Sequence, residues 1–118
     1  MMHVNFKKDI MGIVVKDSDV YTLEDNNLLE HLTLSKTTLK PGQETRGHSH
    51  DEQEEVYFFI QGEGEMVLGE ERFDVQEGSL VLIPKGKFHK VINKSNDFHC
   101  IFVCVFEKYD RSGQEAKY

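Results

Sequence analysis

Short apolar runs separated by turn sequences recur along this chain at intervals of roughly ten residues, a spacing typical of an all-β protein. Three of these runs are MGIVV, EVYFFIQG and GSLVLIPKG. The segment GEMVLGEERFDVQEG predicts a hairpin that turns at Gly69 to Glu71, and the sequence KSND predicts a second turn, across which the strands HKVIN and FHCIFVCVF pair with each other. Strands spaced in this way pack into a sandwich or a barrel, so we predict an all-β fold with at most a turn or two of helix.

The segment 28–42 is the stretch in which a helix competes most strongly with a strand. A helix would group its leucines, but the threonines after Leu32 and the Pro41–Gly42 turn favour a strand. Leu32, Leu34 and Lys36 then share one face of that strand. If this face looks into the barrel, the Lys36 ammonium can hold a carboxylate or a phosphate.

Length and composition suit one globular domain. The chain has 118 residues, of which 38% are hydrophobic and 30% charged. We expect one domain over residues 1–118, with its core at about 28–106 and a polar tail at 107–118. The net charge of −7 argues against nucleic acid and anionic membranes as partners, because both bind basic surfaces. No window approaches the roughly 18 apolar residues of a membrane-spanning helix.

The two cysteines, Cys100 and Cys104, lie in one apolar run. Their spacing argues against a disulfide, because four residues along a strand cover about 13 Å, which is too far for a bridge. The N-terminal segment lacks an apolar core of signal-peptide length. We therefore expect a reducing compartment, the cytoplasm.

Polar side chains gather at the start of one apolar run, in the sequence HSHDEQEEVYFFIQGEG. Residues two apart on a strand share a face, so His48 and His50 point the same way. The DEQE stretch is a good turn, and after it Glu55 can face back toward both histidines. Two imidazoles and a carboxylate suit a borderline divalent metal. Glu54 is the alternative carboxylate, because a one-residue slip exchanges the faces of a strand.

A further histidine follows a proline–glycine corner downstream, where GSLVLIPKGKFHKVIN places His89 at the start of another strand. Together with the His-X-His segment and Glu55, this second segment makes the sequence resemble a small cupin. The first cupin motif is glycine, five residues, His-X-His, three or four residues, glutamate, six residues and glycine. The second is glycine, five residues, Pro-X-Gly, two residues, histidine, three residues and asparagine. The matching positions are Gly42, His48, His50, Glu55 and Gly62 for the first motif, and Gly78, Pro84, Gly86, His89 and Asn93 for the second.

The resemblance to cupins implies a fold, a cofactor and a site. The implied fold is a double-stranded β-helix, or jelly-roll barrel. Three histidines and the glutamate of the motifs hold one divalent transition metal ion inside that barrel, and here they correspond to His48, His50, Glu55 and His89. Manganese, iron, nickel, zinc and cobalt all suit this set of ligands. The remaining histidines, interpreted as surface or packing residues, are His3, His31 and His99.

Weaker candidates surround the two motifs. Tyr57 and Glu54 are candidate catalytic groups that donate or accept a proton. The candidate substrate-binding residues are Lys36, Arg46, Phe59 and Cys104. Solvated loop charges explain Lys85, Lys87 and Lys90 better than a site does.

Cupins similar to this chain include sugar-phosphate isomerases, enzymes acting on unsaturated uronates, dioxygenases and non-enzymatic sugar-binding domains. We favour a metal-dependent isomerase or epimerase acting on a sugar, a sugar phosphate or a sugar acid, with the metal as Lewis acid and template. The alternatives are an Fe(II)-dependent dioxygenase and a non-catalytic sugar-binding module.

The runs VYFFI and FHCIFVCVF are apolar on both faces. One face of each therefore needs a cover outside the barrel, which either the N-terminal region or a second subunit supplies. We predict a homodimer.

Overall fold

The computed structural model describes residues 2–49 and 52–108, and all of its regular secondary structure is strand. Within these residues there is no helix, and so none that could cross a membrane. The strands of this part of the chain are β1 (Ile13–Asp17), β2 (Tyr21–Asn26), β3 (Leu32–Leu39), β4 (Glu55–Gln61), β5 (Glu63–Leu68), β6 (Glu71–Gln76), β7 (Leu80–Ile83), β8 (His89–Ile92) and β9 (Cys100–Glu107).

The strands form two antiparallel sheets. The larger sheet has the order β1-β2-β3-β9-β4-β7, and the smaller has the order β6-β5-β8. The predicted hairpin at Gly69 is present, because Leu68 at the end of β5 pairs with Glu71 at the start of β6. Gly69 has φ +61°, a conformation that glycine adopts without steric cost.

Cross-strand pairing identifies the inner face of the larger sheet. Tyr57 on β4 pairs with Cys104 on β9, and Cys104 pairs with Ser35 on β3. Residues that pair across antiparallel strands share a face. All three are at most 2% exposed, and Tyr57 and Cys104 belong to the main core cluster with Phe102 and Met66.

The outer face of the larger sheet is partly covered by the N-terminal segment. Ile10 is 1% exposed and packs against Ile60 and Val103. The Asn26 side-chain amide donates a hydrogen bond to the Ile10 carbonyl at 2.6 Å, which fixes the segment on the sheet. Phe58 on the same face remains 43% exposed, so the N-terminal segment supplies only part of the cover that the sequence predicts.

The face of β3 that carries Lys36 is outer, which corrects its prediction as a substrate-binding residue inside the barrel. Lys36 pairs with Val103, and Leu34 packs on the outer cluster of Ile10 and Val103. The side chains that face inward are instead Thr33, Ser35 and Thr37. Alternation alone does not identify the inner face here, because residues on both faces are buried.

The predicted pairing of the last two strands is also wrong. β8 pairs with β5, whereas β9 lies between β3 and β4. The connection after β8 is held by Asn93, whose amide donates to the carbonyls of Leu39, Lys40 and Phe98 at 3.1, 3.2 and 2.8 Å. The core also starts earlier than predicted, since Leu23 on β2 is 1% exposed.

Candidate metal centre

Three buried side chains from separate parts of the chain meet between the two sheets. Glu55 begins β4, His89 begins β8, and His48 lies on a segment that runs alongside β8. Their exposed fractions are 3%, 1% and 8%. One ligand atom of each lies within 4.8 Å of the other two. His48, Glu55 and His89 therefore form a group that can hold a metal ion, which we call the His–Glu–His group.

Backbone hydrogen bonds fix the two histidines against each other. The N–H of His48 donates to the His89 carbonyl at 3.1 Å, and the N–H of His89 donates to the His48 carbonyl at 3.0 Å. The His89 Nδ1 atom lies 2.9 Å from the carbonyl oxygen of Lys87. Because a carbonyl only accepts, Nδ1 of the neutral ring carries the proton and Nε2 keeps its lone pair. A metal-binding imidazole uses this arrangement.

The Glu55 carboxylate lies beside both rings. Its Oε1 atom is 3.8 Å from His48 Nε2 and 3.9 Å from His89 Nε2. These separations exceed the usual N–H···O hydrogen-bond range. Two ligand atoms that each bind one ion at about 2.1 Å are at most about 4.2 Å apart, so the observed separations are compatible with a shared ion.

Two glycines shape the loops that deliver the histidines. Gly86 has φ +74°, and the N–H of Lys87 donates to the Pro84 carbonyl at 3.3 Å, which closes the corner ahead of His89. Gly47 has φ +86°, and a Cβ atom there would lie 2.4 Å from Cζ of Phe88. A side chain at position 47 would therefore require either the Phe88 ring or the His48 segment to move.

Comparison with known proteins identifies the family. A family model described as a cupin domain matches residues 35–106, which is more than half of the chain. This chain is a cupin. Its fold is accordingly the all-β jelly roll that the two motifs predict. Among solved structures, TT1209 of Thermus thermophilus superposes with a TM-score of 0.76 at 22% identity, over 91% of this chain and 97% of that one.

Two curated relatives have higher sequence identity. An uncharacterized protein of Methanocaldococcus jannaschii is 31% identical over 70% of this cupin and 66% of its own length. The glucose-6-phosphate isomerase of Thermococcus litoralis is 33% identical over 75% of this cupin and 53% of that enzyme. This cupin therefore spans just under two thirds of one relative and about half of the other.

Aromatic rings form a wall beside the metal-binding group of this cupin. The Tyr57 ring meets the His89 ring edge-on, with centroids 5.6 Å apart, and stacks on Phe102 at 5.2 Å. Phe59 lies on the same inner face and tilts against Phe102 at 5.2 Å. Tyr57, predicted as a catalytic group, is thus close to the His–Glu–His group, whereas Phe59 is two residues further along β4, in the core.

A cavity of about 310 Å³ opens beside His48. Its lining residues are Arg46, Gly47, His48, Ser49 and Phe88. Arg46 and His48 therefore border one space. Since Arg46 and Ser49 are exposed, this cavity opens to solvent beside His48.

Other predicted site residues lie elsewhere. His50, the further predicted ligand, and residues 109–118 of the tail lie outside the described residues, so these predictions remain predictions. Glu54 is exposed immediately before β4, and Glu55 is the carboxylate beside the histidines. Cys104 is fully buried on the inner face next to Tyr57. His3, His31 and His99 are exposed and are not part of the His–Glu–His group.

Three buried polar residues on the inner face of β2 and β3 are not predicted from the sequence as site residues. Asp25 is 4% exposed, and Ser35 and Thr37 are fully buried. The signal for Asp25 is its position on an otherwise apolar alternating face, with Tyr21 and Leu23. A carboxylate on such a face is unusual for a strand that only packs against a core.

Proposed function

We propose that this cupin is a metal-dependent enzyme acting on a small polar substrate, with isomerase or epimerase chemistry on a sugar, a sugar phosphate or a sugar acid. The observation that carries the proposal is the buried His–Glu–His group, because buried ionisable side chains converging next to a solvent-open cavity are typical of a site rather than of a core. Similarity to a glucose-6-phosphate isomerase supports the choice of isomerase.

The donor set fits one divalent transition metal ion per chain. His48, Glu55 and His89 supply two imidazole nitrogens and a carboxylate oxygen, and we propose His50 as the fourth ligand. Manganese, iron, nickel, zinc and cobalt all accept these ligands. A bound ion would supply Lewis-acid polarisation of a substrate oxygen.

The chain's own residues have separate roles in this proposal. Tyr57 is the proposed proton donor or acceptor at the substrate, which the contact of its ring with His89 supports. Arg46 borders the same cavity as His48 and attracts a phosphate or a carboxylate toward the site. Phe59 and Cys104 shape the inner wall.

We also propose that two copies of the chain associate and that the protein works in a reducing compartment, the cytoplasm. Association is supported by the apolar outer side chains of Phe58, Leu80 and Leu82, which are 43%, 56% and 64% exposed. The compartment is supported by Cys100 and Cys104, which are buried and form no disulfide.

Metal retention in two histidine variants tests the proposed site. His89→Ala removes one ligand and, because β8 keeps its backbone pairing, should leave the protein folded but reduce retained metal at least tenfold. His99→Ala, an exposed histidine outside the group, should retain metal as the wild type does. Metal content is measured by mass spectrometry after dialysis of untagged protein against a chelator. Full retention by His89→Ala would contradict the ligand assignment.

Three assays on the metal-loaded wild type separate the candidate functions. Exchange of substrate protons with solvent during interconversion of glucose 6-phosphate and fructose 6-phosphate indicates an isomerase. Oxygen uptake with an Fe(II)-loaded sample indicates a dioxygenase. Saturable sugar binding without turnover indicates a binding module and contradicts the enzyme proposal.

A further inference from the structure

Three polar side chains lie on the inner face of β2 and β3, although the interior of a side-chain-filled barrel is ordinarily apolar. Asp25, Ser35 and Thr37 are each at most 4% exposed. The Ser35 hydroxyl donates a hydrogen bond to the Asp25 carboxylate. Burying a carboxylate and two hydroxyls is costly unless they form hydrogen bonds. Asp25, Ser35 and Thr37, which we call the polar wall, are therefore adapted to contact polar groups.

The polar wall begins two residues further along the strands than the row of Glu55, Phe106 and Thr33. Asp25 pairs with Ser35, Ser35 with Cys104, and Cys104 with Tyr57, so the four form one row across β2, β3, β9 and β4. At the end of this row, the Tyr57 ring contacts the His89 ring. A ligand held near His89 and lying over Cys104 therefore extends toward Asp25.

The Thr37 hydroxyl is a buried polar group of the polar wall. Thr37 pairs with Phe102, which places it on the inner face, and it is fully buried. Within the described part of the chain, its hydroxyl has no hydrogen-bond partner. Since nearly all buried hydroxyls in folded proteins have a partner, a group from outside the chain is expected to supply this one.

We propose that Asp25, Ser35 and Thr37 bind hydroxyl groups of the substrate, while the other end of the substrate lies at the His–Glu–His group. A carboxylate accepts hydrogen bonds from hydroxyl donors, and the threonine hydroxyl both donates and accepts. The wall therefore selects a polyhydroxylated carbon chain over a small dicarboxylate that has no hydroxyl groups. This inference rests on the proposed function for the position of the reacting end of the substrate.

Ligand titration calorimetry tests the wall with two probes of different chemistry. The first probe is fructose 6-phosphate, which has several hydroxyls, and the second is oxalate, which has none. The titrated proteins are the metal-loaded wild type, Asp25→Asn, Thr37→Val and, as matched control, Thr38→Val, in which the substituted threonine pairs with Ile101 on the outer face.

Asp25→Asn and Thr37→Val should each weaken fructose 6-phosphate binding at least tenfold and leave oxalate binding and metal content unchanged, and Thr38→Val should change neither. If Asp25→Asn fails to fold, Thr37→Val decides, because its hydroxyl makes no hydrogen bond within the described chain and its removal should not destabilise the protein.

Two results would contradict the proposal that the polar wall binds substrate hydroxyls. The first is equal affinity of the wild type and Thr37→Val for fructose 6-phosphate. The second is a wild type that binds oxalate alone or binds neither probe. If the chelated wild type binds fructose 6-phosphate as well as the loaded one, and the wall variants still weaken it, the metal proposal fails and the wall stands.

Discussion

At the scale of single residues, burial controls the ionisation of Cys100. Its side chain is fully buried, and burial raises the pKa of the thiol from 9.0 to about 11, because the thiolate is poorly solvated there. The unfolded chain therefore loses this proton at a lower pH than the folded one. The contribution of Cys100 to stability is complete below about pH 9 and is lost as the pH rises toward 11.

We predict that the free energy of unfolding of the wild type falls more steeply in this range than that of Cys100→Ala. A difference of two pKa units corresponds to roughly 2 to 3 kcal/mol, and the variant lacks this group while keeping all other ionisable side chains. Urea denaturation at intervals from pH 8 to pH 11 measures both proteins. Parallel pH profiles would show that Cys100 does not titrate late in the folded state.

Residue spacing predicts part of the site and misses the rest for a physical reason. His48, Glu55 and His89 follow from local spacing and from corners that proline and glycine mark, and the structure brings these three together. The polar wall does not follow from spacing. Whether Ser35 or Lys36 faces inward depends on what covers each side of β3, and the sequence of one strand does not contain that information.

At the scale of elements, the segment that carries His48 depends on close packing against the end of the β7–β8 connection. The N–H of Thr45 donates to the Val91 carbonyl at 2.9 Å, and the His48–His89 bridge continues the pairing. Between them, Gly47 passes the Phe88 ring with no room for a Cβ atom. The position of His48 is therefore coupled to a contact made by its neighbour.

We predict that Gly47→Ala both destabilises the protein and weakens metal retention. The matched control is Gly78→Ala, since Gly78 has φ +93° but a Cβ atom added there would have no neighbouring atom within 4 Å. The free energy of unfolding of the control should fall only by the cost of a left-handed backbone conformation for alanine, about 1 to 2 kcal/mol. The free energy of unfolding of Gly47→Ala should fall by more than this, because the methyl group also overlaps the Phe88 ring. Denaturant unfolding and metal analysis after chelation measure the two effects, and equal losses in both variants would contradict this account.

Strand positions were predictable because alternation and turn residues are local signals, and β4 to β7 lie where the sequence indicates. Pairing was less predictable. The KSND sequence indicates a reversal of the chain but does not determine which strand lies next to β9. That choice is made by β3 and β4, which flank β9 along its length.

At the scale of the whole molecule, an apolar ridge and an apolar groove share the outer face of the larger sheet. The ridge consists of Phe58, Leu80 and Leu82, which are exposed side by side on β4 and β7. The groove, with a volume of about 300 Å³, is lined by Met2, Met11, Asn26, Leu28, Leu29, Leu32, Thr33, Leu34 and Val105. Val56 pairs with both Leu82 and Val105, so ridge and groove are continuous. A two-fold axis would place each ridge in the groove of the other copy.

We predict that the wild type is a dimer at micromolar concentration and that Leu82→Glu is a folded monomer, because a buried carboxylate in the ridge would have no partner. The control is Phe98→Glu, which changes an equally exposed aromatic side chain (69% exposed) outside the ridge and groove, and should remain a dimer. Light scattering coupled to size-exclusion chromatography measures the mass of each. A monomeric wild type would overturn the proposed assembly.

The bridge between His48 and His89 also bears on the order of events after synthesis. The two residues are about forty positions apart in the sequence, and contacts of that separation form late because a long loop must close first. Until β8 has paired, His89 is not held next to His48, and the metal ligands are not assembled. Metal uptake is therefore expected to follow folding rather than to drive it, in contrast to small zinc domains that are unfolded without their ion. The ion that a newly made chain acquires would then depend on which metals its surroundings supply.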